Sequence, residues 1–207
     1  RTAVLVFLTA AAAAFFFFPK DERPVDISVV QESATLDKYL SPYKELIGKD
    51  YEGYRNHNLR VLTYAMHTLK GEHERVVATA LVFHDIALWT DSVLNYIDPS
   101  WDRAREKVSG DFTETELETI KNIIIYHHKI TEFTGPNAAI VNAVREGDWV
   151  DASQGVIKKS HSPANIAKVT AAIPNAGFHD TLAGFGPKLH GWNIPKIIYE
   201  LGQIYYW

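Results

Sequence analysis

A chain of 207 residues, 46% of them hydrophobic, suffices for one well-formed core and is short for two domains. A net charge of −4, with no Lys/Arg run longer than two, excludes a large electrostatic footprint on nucleic acid. The absence of cysteine excludes disulfides, thiolate metal sites and a cysteine nucleophile, so any metal must be held by His, Asp or Glu.

The chain opens with a sixteen-residue apolar run, Ala3 to Phe18, interrupted only by Thr9 and followed by Pro19-Lys20-Asp21-Glu22-Arg23. It falls just short of the roughly 20 residues of a membrane-spanning helix. Residues 1–25 are therefore expected to form a hydrophobic N-terminal helix, a membrane anchor or export signal, with a helix packed on the domain as the alternative. Residues 26–207 are expected to form a single helical domain.

Short helices are expected over Leu36–Leu40 and Tyr43–Ile47, between the breakers Pro24, Pro42 and Gly48. A long helix follows from about Tyr51 to Lys70, closed by Gly71 at its C′ position. Leu59, Leu62, Met66 and Leu69 recur along it at helical spacing, and His57 lies on the neighbouring stripe with Val61 and Tyr64. The next helix, about Glu72 to Trp89, is apolar nearly all round, as in the middle of a bundle, yet it carries His84 and Asp85 side by side. A buried imidazole beside a buried carboxylate is costly unless each has a partner, and one divalent cation would satisfy both.

Asp98-Pro99 reads as the N-cap and first residue of a short helix. Thr113-Glu114-Thr115-Glu116 reads as a capping box, opening a helix whose stripe of Leu117, Ile120 and Ile124 ends in His127 and His128. After Gly135-Pro136, a helix with Ile140 and Val144 on one face continues that face to Asp148 and Asp151. The span Ile157–Ile173 reads as partly helical, Pro174–Trp192 as Gly- and Pro-rich loop, and Asn193-Ile194-Pro195 as the start of a last packing helix. No strand-like alternation persists, so the expected fold class is all-α.

Four segments thus send ionisable groups inward, in the order His57, His84-Asp85, His127-His128, Asp148. This ordered set resembles the HD-domain superfamily of metal-dependent hydrolases, over about residues 51–153. The matching pieces are His57 with Arg60 and Val61, Phe83-His84-Asp85-Ile86, Tyr126-His127-His128 and Glu146-Gly147-Asp148. The resemblance implies a single HD-type helical bundle in which His57, His84, Asp85 and Asp148 hold one divalent ion, with Zn, Mn and Fe all open. A bound ion lowers the pKa of its water toward neutral and supplies a hydroxide nucleophile. Asp85 would orient that water, and His127 and His128 would line the pocket, touch substrate or bind a second metal. Arg60 would either neutralise an anionic substrate or form a salt bridge, Lys129 is the other cation that could meet such a substrate, and Asp91 is a general-acid candidate. Asp151, one turn beyond Asp148, either replaces it or stands behind the ligands.

Two-metal members of the family add histidines that this chain lacks: Leu88 and Trp89 follow the pair, and no His occurs between Asp85 and His127. One ion is therefore expected. The implied activity is hydrolysis of a phosphate ester of a small molecule or nucleotide. The alternatives are an oxygenase or a hydratase resembling cyanamide hydratase, acting on a small non-phosphate substrate, or a membrane-tethered domain with a structural metal. His67, His73 and His161 read as solvated surface. His179, Asp180 and His190 are expected in a loop that could cap the pocket.

Overall fold

The computed structural model describes residues 21 and 23–205, and among these the chain is all-helical, with no strand. The apolar run over residues 3–18 lies outside the described residues, and no described helix is long and apolar enough to cross a membrane. In chain order the helices are α1 (Ala34–Leu40), α2 (Lys44–Ile47), α3 (Tyr51–Leu69), α4 (Glu74–Phe83), α5 (Ala87–Thr90) and α6 (Ile97–Val108). They continue with α7 (Glu114–Tyr126), α8 (Ala138–Ala152), α9 (Pro163–Ala172), α10 (Phe178–His190) and α11 (Ile194–Tyr205).

The axis of the fold is α3, buried almost without interruption from Gly53 to Met66. It packs most extensively on α8 and also on α4, while α4 and α8 each pack on α7. The closest approach is made at Gly147, where an added Cβ would stand 3.1 Å from the Val61 carbonyl oxygen of α3. A larger residue there would push α8, and Asp148 with it, away from His57. Gly53 plays the same part on the other side of α3: a Cβ would meet the Ala176 oxygen at 2.9 Å, so glycine lets the segment before α10 lie against the helix.

Most expected ends hold. Thr113 and Glu116 form the full capping box of α7, and α3 runs from Tyr51 to a left-handed terminus. There Lys70 is the C-cap and Gly71 the C′ residue, as expected, both left-handed (φ 54° and 83°). The helix α6 begins at Ile97, which moves Asp98 and Pro99 from cap and first turn into the first turn proper.

Two expectations are corrected. The helix over Glu72–Trp89 is broken at Phe83 and resumes at Ala87. The Leu81 carbonyl, which would accept from the Asp85 N–H in a continuing helix, is taken instead by His84 Nδ1 at 2.6 Å. Tyr54 Oη donates to the Val82 carbonyl at 3.0 Å, and the chain goes on through tight i→i+3 turns. Residues 178–190 form a helix rather than loop, because Phe178 and Phe185 are buried and Leu182 partly so, a spacing of four and three that outweighs the glycines and Pro187.

Candidate metal centre

The long helix α3 supplies His57, the turn after α4 supplies His84 and Asp85, the turn after α7 supplies His127 and His128, and α8 supplies Asp148. Their side chains meet in the core. His57 Nε2 lies 3.1 Å from His84 Nε2 and 3.4 Å from Asp148 Oδ1. His84 Nε2 lies 3.2 Å from Asp85 Oδ2 and 3.7 Å from Asp148 Oδ1. His127 Nε2 stands 3.3 Å from Asp85 Oδ1, and His128 Nδ1 stands 3.6 Å from Asp148 Oδ2. His57, His84, Asp85 and Asp148 therefore form one cluster, with His127 at its edge and His128 beyond, the most open of the six at 14% side-chain exposure.

The ring orientations define the chemistry. His84 Nδ1 faces the Leu81 carbonyl and His127 Nδ1 faces the Ile124 carbonyl, each at 2.6 Å. A carbonyl only accepts, so both Nδ1 atoms carry a proton, and in the neutral ring, the form that binds a metal, both Nε2 atoms present lone pairs. His57 Nδ1 likewise faces the Asp151 carboxylate at 2.7 Å. In that form three lone pairs and two carboxylates converge, and the two imidazole nitrogens 3.1 Å apart need a proton or a metal ion between them. Among the described residues, Asp85 Oδ1, His127 Nε2 and Asp148 Oδ2 are buried without a hydrogen-bond partner. This donor set fits a divalent cation, and His57, His84 and Asp148, or His84, Asp85 and His127, could hold one.

Electrostatics agree. Burial alone would raise the carboxyls and lower the imidazoles, but pairing reverses both. His84 and His127 hold Asp85 well below the usual carboxylate range, and His57 and His84 do the same to Asp148. In turn Asp148 and Asp151 raise His57 against its burial, and Asp85 with Asp148 pushes His84 up to about 10. Burial, with the neighbouring His127, lowers His128 to about 3, so His128 is neutral. Its Nε2 meets the Tyr96 hydroxyl.

Behind the cluster stands a second layer. Asp151 backs His57 and does not replace Asp148. Arg60 does not face the cluster: its Nε and Nη2 donate to the two Asp151 oxygens at 2.5 and 2.8 Å, and Nη1 donates to the Pro174 carbonyl at 2.9 Å. The expected Arg60 contact with an anionic substrate is corrected accordingly, since a buried guanidinium beside a buried carboxylate is neutralised by it. Asp91 is also taken, by Arg103 at 2.8 Å. The pocket-capping role expected of His179 and His190 gives way to structural contacts: His179 Nε2 donates to the Asp151 backbone oxygen at 2.8 Å, and His190 pairs with Glu200 at 2.7 Å. His161 is not surface but buried, 1% exposed, with its ring centroid 4.9 Å from that of Tyr64.

Sequence reasoning passed over three aromatics. Phe178 stacks on His57 (ring centroids 4.1 Å, planes 14° apart), Tyr54 stacks on both His57 and His84, and Tyr96 holds His128. Tyr54 had a readable signal, lying one helical turn before His57 on the same stripe. Phe178 had none, because its approach depends on the close passage at Gly53. Compared with known proteins, the chain matches no family model, no curated protein and no solved structure.

Proposed function

We propose that the protein is a metal-dependent hydrolase of the HD type, holding one divalent ion on His57, His84, Asp85 and Asp148. The observation that carries this reading is the convergence of the lone pairs of His57 and His84 on the oxygens of Asp85 and Asp148, with each Nδ1 tied to a protein oxygen. A bound divalent cation supplies Lewis acidity, lowering the pKa of a water molecule and polarising the bond under attack. The protein's own groups divide the remaining work. Asp85 offers Oδ2 to the cluster and keeps Oδ1 to accept a proton from the attacking water. His127 Nε2, 3.3 Å from that oxygen, receives the proton next and can return it to the leaving group. His128 is the most open residue of the cluster, and Tyr96 fixes its ring.

A phosphate ester of a small molecule or nucleotide is the substrate class that the HD resemblance favours. A second reading, hydration of a small uncharged molecule in the manner of cyanamide hydratase, is favoured by one specific observation. Arg60 is locked on Asp151, and the buried Arg145 is spent on Asn142 and on the carbonyls of Lys129 and Ile130. Neither guanidinium is available to balance a phosphate. Metal-loaded protein assayed on a chromogenic phosphomonoester, a phosphodiester and cyanamide separates the two. Phosphoester turnover abolished in Asp85→Asn supports the first, and cyanamide hydration alone supports the second. No turnover of any of them with Zn, Mn or Fe counts against both.

A further inference from the structure

On the far side of Asp151 from the metal cluster lies a cavity of about 300 Å³. Its polar wall includes Arg60, Tyr64, Asp151, Gln154, Asn175 and His179, and its apolar wall Val150, Ile166 and Ile173. The volume is at the small end of those that hold organic ligands.

The hydrogen-bond inventory of the polar wall is one-sided. Both Asp151 oxygens are consumed by Arg60 and His57. Tyr64 is fully buried and its hydroxyl has no partner among the described residues. Burial, with the nearby Asp151 charge, raises that hydroxyl well above its ordinary range, so it remains a protonated donor. Of the five Arg60 N–H groups, one on Nη2 and both on Nη1 go to Asp151, Pro174 and, at 3.5 Å, Ile173, and Nε goes to Asp151. The second Nη2 N–H is left over. The amide nitrogen of Asn175 is also uncommitted, since its oxygen is the partner of His179. The wall therefore offers spare donors and no spare carboxylate, and the Arg60 guanidinium enters as a donor whose charge Asp151 already balances.

We propose that this cavity is a second ligand site that takes a small carboxylate with a short aliphatic body. The carboxylate oxygens accept from the Tyr64 hydroxyl and Arg60 Nη2, and the aliphatic part lies on Ile166 and Val150. Occupancy draws on the same guanidinium that holds Asp151, and Asp151 orients His57. The site is thus coupled to the cluster, and this second half rests on reading the cluster as a metal centre. Linkage makes the coupling reciprocal: whatever factor the carboxylate imposes on metal affinity, metal imposes on carboxylate affinity.

The test starts with metal-free protein, titrated with isobutyrate and, separately, with inorganic phosphate, and followed by amide chemical shifts. Isobutyrate is expected to saturate wild type and His127→Ala equally, shifting amides around Tyr64 and Ile166, and to bind at least tenfold more weakly to Tyr64→Phe. Thr170→Trp, an exposed residue at the rim of the cavity, is expected to block binding without disturbing the fold. Equal binding to wild type and Tyr64→Phe, loss of binding in His127→Ala, preference for phosphate over isobutyrate, or no binding at all would overturn the proposal. Repeating the titration with metal bound tests the coupling alone. A changed isobutyrate affinity supports it, and an unchanged one removes the coupling while leaving the site.

Discussion

The two sides of the cluster are built differently. On the His57 side the carboxylate behind the ring is fully committed: Asp151 takes His57 Nδ1, Arg60 takes both Asp151 oxygens, His179 takes the Asp151 carbonyl, and Phe178 covers the ring. On the His127 side the polar atoms are left over: Asp85 Oδ1, His127 Nε2 and Asp148 Oδ2 have no hydrogen-bond partner among the described residues. A fully satisfied network is rigid, whereas unsatisfied buried groups are costly and persist where a ligand or a reaction uses them. On the proposed reading, one half holds the ion in place and the other acts on what approaches it.

The largest effect is expected where the open half is cut. His127→Ala should lower kcat by about 10²–10⁴-fold, the usual range for a proton-transfer group, and leave metal affinity within a few-fold. Equilibrium dialysis beside steady-state kinetics checks both. Metal lost together with activity would make His127 a ligand and erase the division between the halves. A smaller effect belongs to the closed half. Asp151→Asn should weaken metal binding about 10–100-fold, as removal of a partner that orients a ligating histidine does. The variant keeps its shape, so far-UV circular dichroism should not change. Unchanged affinity would mean that Arg60 and Asp151 are a structural pair only.

The smallest effect sharpens the comparison from outside the cluster. His161 is as buried as His57, but both its ring nitrogens lack a partner among the described residues. Burial, with His67 and Arg23 nearby and only Asp26 opposing, lowers it to about 4 from an ordinary 6.5. The unfolded chain therefore binds this proton at a higher pH than the folded one does. Stability is lost as pH falls from about 6.5 toward about 4, by about 2 kcal/mol at pH 5. His161→Phe should remove that loss, seen as a flatter urea midpoint between pH 7 and pH 5. An equal decline in both proteins would assign the acid sensitivity elsewhere.

Much of the cluster was legible in the sequence because its residues break a rule: His84, Asp85, His127 and Asp148 are ionisable groups on stripes that are otherwise apolar. Arg60 was legible as a cation one turn from His57 but not in its direction. A guanidinium on α3 can face a substrate or a carboxylate, and only the packing of α8 brings Asp151 beneath it. The break after Phe83 was hidden because apolar periodicity is blind to competition for carbonyls, which His84 Nδ1 and Tyr54 win. The helix α10 was hidden by its glycines and Pro187, and the burial of His161 by its place in a connecting segment, where periodicity says nothing. The all-α class needed none of these details, since it follows from the long stripes of α3, α7 and α8.

The central claim is that the cluster is a metal centre, and calorimetric titration of the metal-free protein with Zn²⁺, Mn²⁺ and Fe²⁺ tests it most directly, wild type beside Asp148→Ala. The account predicts one tight equivalent of at least one ion in wild type, with affinity rising as pH rises because the ion must displace the proton that His84 otherwise holds up to about 10. It predicts loss of that binding in Asp148→Ala. No binding of any of the three ions, or binding that survives the substitution undiminished, would contradict it.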